Sequence, residues 1–170
     1  MWSLRQQLAL GTAAKKPSAA DRRQLAVWLD AIERQLRGSK RSWLPWPPAR
    51  GPLDLAEARR AAEVTEALLN AGGPGMKDAV QNLLGMISSC EAEELIPFWE
   101  RMMIPHHEFG HRDATASARA RFGGMALRAL AGRGSAAATD AILRALPLLG
   151  AADRGGLMLE GVFALFTVGA

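Results

Sequence analysis

The sequence predicts an all-α chain of antiparallel helical hairpins stacked as a short α-solenoid, and three observations carry that prediction. Apolar residues recur at three- and four-residue intervals over most of the chain, the period of one buried helical face. β-Branched and aromatic residues, which favour strands, are scarce: the 170 residues include five Phe, five Trp and no Tyr. The connections between helix-length segments are short and rich in Gly, Pro, Ser and Asp, which makes successive helices antiparallel neighbours.

The first helix is expected over Asp21 to Arg37, with Ser18-Ala-Ala-Asp21 as a capping-box variant at its entrance. Leu25, Trp28, Leu29, Ile32 and Leu36 form one apolar stripe, and Gly38 supplies a stop. Residues 39–52, SKRSWLPWPPARGP, hold four prolines and read as an extended linker. Asp54-x-x-Glu57 opens a second helix running to Ala71, with Leu55, Ala58, Ala62, Thr65, Leu68 and Leu69 inward. Met76 to Ser88 follows, with Met76, Val80, Leu83, Leu84 and Ile87 on one face.

Glu91 to Met103 presents Leu95, Phe98, Trp99, Met102 and Met103, and accommodates Pro97 if the helix proper starts near Glu94. The next helix starts at Asp113 or Thr115 and runs to Ala131, with Ala118, Phe122, Met125, Leu127 and Leu130 inward. Ser135 to Leu146 carries Ala138, Ile142, Leu143 and Leu146. The last helix, from Asp153, contributes Leu157, Leu159, Val162, Phe163 and Phe166. Grouped in pairs, the helices begin near residues 54, 91 and 136, a repeat of roughly forty residues, the period of helical solenoids. The chain thus divides into residues 1–52, a basic helix with a Pro/Trp-rich linker, and residues 53–170, the repeat domain.

Glu94-Leu-Ile-Pro-Phe-Trp-Glu-Arg-Met-Met103 resembles the second helix of a HEAT-type repeat, a helix that often has a proline in its first turn. Ala118 to Leu130, the turn Gly-Arg-Gly-Ser and Ala136 to Leu146 resemble a first helix, tight turn and second helix of the same kind. The resemblance to HEAT and armadillo folds covers about residues 54–170, although no regular Asp/Arg ladder between repeats is evident in the sequence. It implies a scaffold that binds a protein partner, with no catalytic residues to carry over and no cofactor. Some members of such families bind nucleic acid.

Composition narrows the class further. Hydrophobic residues make up 49% and charged residues 22%, which excludes a disordered chain. The single cysteine, Cys90, excludes an intrachain disulfide framework and suits a reducing cytoplasm. The opening MWSLRQQLALGTAAKK lacks the order of a secretory signal. No stretch reaches the ~18 apolar residues of a membrane span. The nearest, Gly155 to Ala170, contains Glu160, and its apolar end points to a truncated chain or a neighbour that covers it.

Charge is lopsided: residues 1–60 carry twelve Lys/Arg against five Asp/Glu, and residues 61–170 nine against twelve. An anionic partner for the basic end is one reading of that asymmetry. Lys40, Arg41, Trp43 and Trp46 interleave cations with aromatics, a pattern that stacks on bases and neutralises phosphates. The alternative is that both indoles pack onto neighbouring helices, as large apolar rings usually do.

One motif raises an enzymatic alternative. His107-Glu108-Phe109-Gly110-His111 spells H-E-x-x-H, in which two histidines one helical turn apart bind zinc and the glutamate activates the metal-bound water. A zinc-dependent metallopeptidase would use His107 and His111 as ligands and Glu108 as the catalytic base. The neighbours argue otherwise. Pro105 precedes the motif, Arg112-Asp113 follow it, and no later histidine exists to supply a third ligand, which leaves only Glu160. No strand is expected to align a substrate. The expectation is therefore a polar inter-helix loop with Asp113 capping the next helix.

Overall fold

The computed structural model describes residues 18–37, 52–71, 76–103, 116–152 and 161–166, and among these the regular structure is helical, without a strand. In chain order the helices are α1 (Ala19–Arg37), α2 (Leu55–Ala71), α3 (Met76–Ile87), α4 (Ile96–Met103), α5 (Ala116–Arg133) and α6 (Ala136–Ala152). A 3-10 turn, Glu93–Leu95, runs directly into α4. Residues 161–166 are helical as well.

Local chemistry explains where these helices start. The Glu57 N–H donates to Asp54 Oδ1 at 2.9 Å and the Asp54 N–H donates to Glu57 Oε2 at 3.0 Å, the reciprocal capping box expected at α2. Ser135 caps α6: the Ala138 N–H donates to its Oγ at 3.2 Å. Pro97 is the second residue of α4, where its missing N–H would have no intrahelical acceptor in any case. Between α5 and α6 the chain turns at Gly134, whose φ of 63° is the left-handed conformation that glycine adopts without strain.

Packing joins α1 to α2, α2 to α3, α3 to α5, α4 to both α5 and α6, and α5 to α6. One continuous core results, in which Leu29, Ile32, Leu83, Leu84, Ile87, Leu95, Trp99, Met103, Leu127, Leu130, Ile142 and Leu149 are fully enclosed. Because α2 lies between α1 and α3, its buried arc is broad and takes in Ala61 and Val64 besides the expected stripe. Thr65 is buried there, its hydroxyl donating to the Ala61 carbonyl at 2.8 Å. The helices α1 and α2 run in the same direction: Arg22 near the start of α1 pairs with Asp54 at the start of α2, and Asp30 and Glu33 further on meet Arg60.

The structure corrects three expectations. The helix expected to stop at Leu146 continues through Pro147 to Ala152. Pro147 lies on the exposed side, and the next turn carries Leu149 into the core, so the apolar stripe outweighs one missing hydrogen bond. Leu143, expected inward, is 50% exposed, because Ala138, Ala141, Ile142, Ala145 and Leu149 line the buried face of α6. Phe163 and Phe166 were also expected inward and are 62% and 74% exposed. Gly161 and Ala164 face the core in their place; a Cβ on Gly161 would stand 2.7 Å from Leu146 Cδ2, so the close approach selects the smallest residue.

Candidate functional site

The residues singled out by motif, His107, Glu108 and His111 for metal and Lys40, Arg41, Trp43 and Trp46 for nucleic acid, lie outside the described residues. The ends of their neighbours α4 and α5 are described, and among the described residues no group of three His, Cys, Asp or Glu side chains is arranged to hold a metal ion. No helix among them is long and apolar enough to cross a membrane. The described surface instead offers a row of ion pairs, an arginine staple and an apolar end.

The row links α1, α2, α4 and α6. Arg60 of α2 bonds Asp30 of α1, and its Nη2 donates to Glu33 Oε1 at 3.2 Å. Arg101 of α4 donates from Nη2 to Glu66 Oε1 of α2 at 2.6 Å and from Nε at 2.9 Å. Arg144 of α6 donates from Nε to Glu100 Oε1 of α4 at 2.8 Å. In these three links the arginine belongs to the later helix and the acid to the earlier one, whereas Arg22 of α1 meets Asp54 at the start of α2 in the opposite order. The bond from Asp30 holds the Arg60 guanidinium above its ordinary range, with Glu33 adding to it, and Glu100 does the same for Arg144. Such pairs are partly exposed and individually weak, so they orient neighbouring helices more than they hold them together.

The staple is Arg133, at the end of α5. Its Nη1 donates to the Ala129 carbonyl one turn back at 2.5 Å, and its Nη2 donates to the Cys90 carbonyl in the α3–α4 connection at 2.6 Å. The guanidinium carbon stands 5.6 Å from the centroid of the Trp99 ring, and Phe98 meets that ring edge-on at 5.0 Å. Burial pushes the Arg133 guanidinium below its ordinary range, yet a guanidinium so basic stays charged. Trp99 Nε1 and Arg133 Nε are buried without a hydrogen-bond acceptor, which marks a tightly enclosed junction of three elements. The free thiol of Cys90 is buried beside it.

The apolar end is built from α6 and residues 161–166. Among the described residues of this end, Leu143 and Leu148 of α6 and Phe163 and Phe166 beyond it are the large exposed apolar side chains. Gly161 sits within reach of Leu127, Leu146 and Leu149, which places residues 161–166 against α5 and α6. Sequence periodicity could not reveal this surface, because it counts apolar residues without saying which have a neighbour to cover them. The arrangement supplies exposed apolar area and oriented charge. No family model, curated protein or solved structure matches the chain.

Proposed function

We propose that the chain is a non-enzymatic helical-repeat scaffold, HEAT-like in its stacking, that mediates protein–protein interaction. The observation that carries this reading is the recurrence of one link. The helices that lead the pairs near residues 54, 91 and 136 are α2, α4 and α6, and an arginine of each later member reaches an acid of the one before it. The helices between them, α3 and α5, pack on each other in a second row. Two parallel rows with the same connection repeated are the plan of a helical solenoid, in which each unit touches only its neighbours and the stack offers an extended surface to partners. The exposed Leu143, Leu148, Phe163 and Phe166 fit that use, since apolar side chains left in solvent are available to a partner.

Photo-crosslinking tests the proposal. A photoreactive residue is placed in turn at Glu63, Pro97 and Leu148, exposed positions on α2, α4 and α6, in the full chain expressed in its native cells. A scaffold yields a discrete adduct with one other protein from at least one position. The absence of an adduct with any other protein from all three positions would reject the reading.

A further inference from the structure

Between α3 and the 3-10 turn that leads into α4, the chain crosses over residues 88–92. Along this crossing only Cys90 is buried; Ser88, Ser89 and Glu91 are exposed and Ala92 is half buried. Local turns shape it: the Cys90 N–H donates to the Ile87 carbonyl at 3.0 Å, and the Leu95 N–H to the Ala92 carbonyl at 3.2 Å. Segments remote in the chain then fasten it. The Leu53 N–H, ahead of α2, donates to Ser89 Oγ at 3.0 Å, and Arg133 Nη2, at the end of α5, donates to the Cys90 carbonyl at 2.6 Å. Arg133 is itself held by neutral groups, the Ala129 carbonyl and the face of Trp99.

We propose that residues 88–92 are a strap that opens as a unit, with Arg133 as its catch, and that this opening bares the Cys90 thiol while the helices stay packed. The proposal is independent of what the chain binds. Opening gives up one buried side chain and the hydrogen bonds at Cys90 and Ser89, whereas unfolding gives up the whole core. A segment with few buried apolar contacts and an exposed backbone on either side of them opens at a fraction of the global free energy. The bond from Arg133 is charge-assisted, so its loss loosens the strap more than the loss of the neutral bond at Ser89. In the closed state Arg133 Nε is buried without an acceptor. Release to water supplies one, which offsets part of the cost of parting from the Cys90 carbonyl. Cys90 is the only cysteine of the chain, so a thiol reagent reads this opening directly.

The test is the rate at which an aromatic disulfide labels Cys90 in the full chain, from no denaturant up to the unfolding transition. The thiol gives its proton to solvent, its sulfur bonds to one sulfur of the reagent, and the other sulfur leaves as a coloured thiolate. The expected rate is well below that of a free cysteine and nearly independent of denaturant until global unfolding sets in, the mark of a local opening. Without denaturant, Arg133→Gln raises it at least about tenfold. Ser89→Ala raises it less, and decides the case if Arg133→Gln loses its helicity by circular dichroism. Leu68→Ala, which weakens the core about four turns along α2 from Leu53, leaves the rate unchanged. Labelling as fast as a free cysteine overturns the proposal, because the thiol is then not enclosed. Labelling that climbs steeply with the first denaturant and quickens in Leu68→Ala overturns it as well, since the thiol then waits on global unfolding. A helical Arg133→Gln chain labelled at the native rate removes Arg133 as the catch and has the same consequence.

Discussion

The helices α3 and α6 are both rich in apolar residues, and the fold treats them differently. Every large apolar side chain of α3 is buried: Met76, Val80, Leu83, Leu84, Met86 and Ile87. On α6, Ile142 and Leu149 are enclosed while Leu143 and Leu148 are half exposed. The core face of α6 is largely alanine, with Ala138, Ala141 and Ala145 admitting α4 and α5 at close range. The face of α3 is filled with long side chains that reach α2 and α5. Burial is thus decided by where the neighbours stand, and α6 has uncovered flank to spare. The middle of the molecule encloses its apolar side chains, and its α6 end leaves several of them exposed.

That contrast is broken or sharpened by substitution. The largest effect is expected at the junction beside α3: Trp99→Ala, which empties a fully enclosed site under Arg133, should cost about 3–5 kcal/mol in chemical denaturation. Trp99→Phe should cost less, because it removes a buried N–H that has no acceptor. Next comes the direct comparison. Leu84→Ala on α3 should cost about 2–5 kcal/mol, whereas Leu143→Ala on α6 should stay within about 0.5 kcal/mol for the monomer. Equal costs at the two positions would abolish the distinction between α3 and α6.

Two turn and cap positions come third. Gly134→Ala should cost about 1 kcal/mol, a purely conformational penalty, since a Cβ there meets nothing within 4 Å. Asp54→Ala should cost about 1 kcal/mol by opening the capping box of α2. The N–H of Glu57 holds the Asp54 carboxyl below its ordinary value, and Arg22 adds to that. The folded value lies below the unfolded one, so the stabilisation is complete above the unfolded value of about 3.9 and is lost as pH falls through the folded value. The stability difference between the native chain and Asp54→Ala should therefore narrow as the solution is acidified through that range.

The smallest effect belongs to the row. Arg101→Ala should cost about 0.2–1 kcal/mol, declining with added salt. Exchanging the charges in Glu66→Arg/Arg101→Glu should recover most of the loss seen in either single variant, as a double-mutant cycle would show.

Much of the fold was legible from local pattern. Asp54 and Glu57 announced the start of α2 because a capping box needs only residues three apart. The stripe Met76, Val80, Leu83, Leu84 and Ile87 announced the buried side of α3. Pro97 announced a helix start near Glu94, two residues before α4 begins. Other features resisted. The row of ion pairs joins residues 27 to 44 apart at irregular intervals, so no period in the sequence betrays it. The helix from Ser135 was expected to end at Leu146, and the burial of Leu149 explains why it runs on through Pro147. The apolar end was misread because Phe163 and Phe166 look like core residues until Gly161 is seen against Leu146.

What the sequence by itself determined is the all-helical class, most helix boundaries and the buried stripe of α3, since these follow from residue spacing, caps and turn chemistry along one segment. What the tertiary structure decided is which helices stand side by side, which apolar residues are left outside and how arginine meets acid across the row. Those depend on distances between segments remote in the chain, and a helix with its own pattern intact carries no information about the neighbour that will or will not cover it.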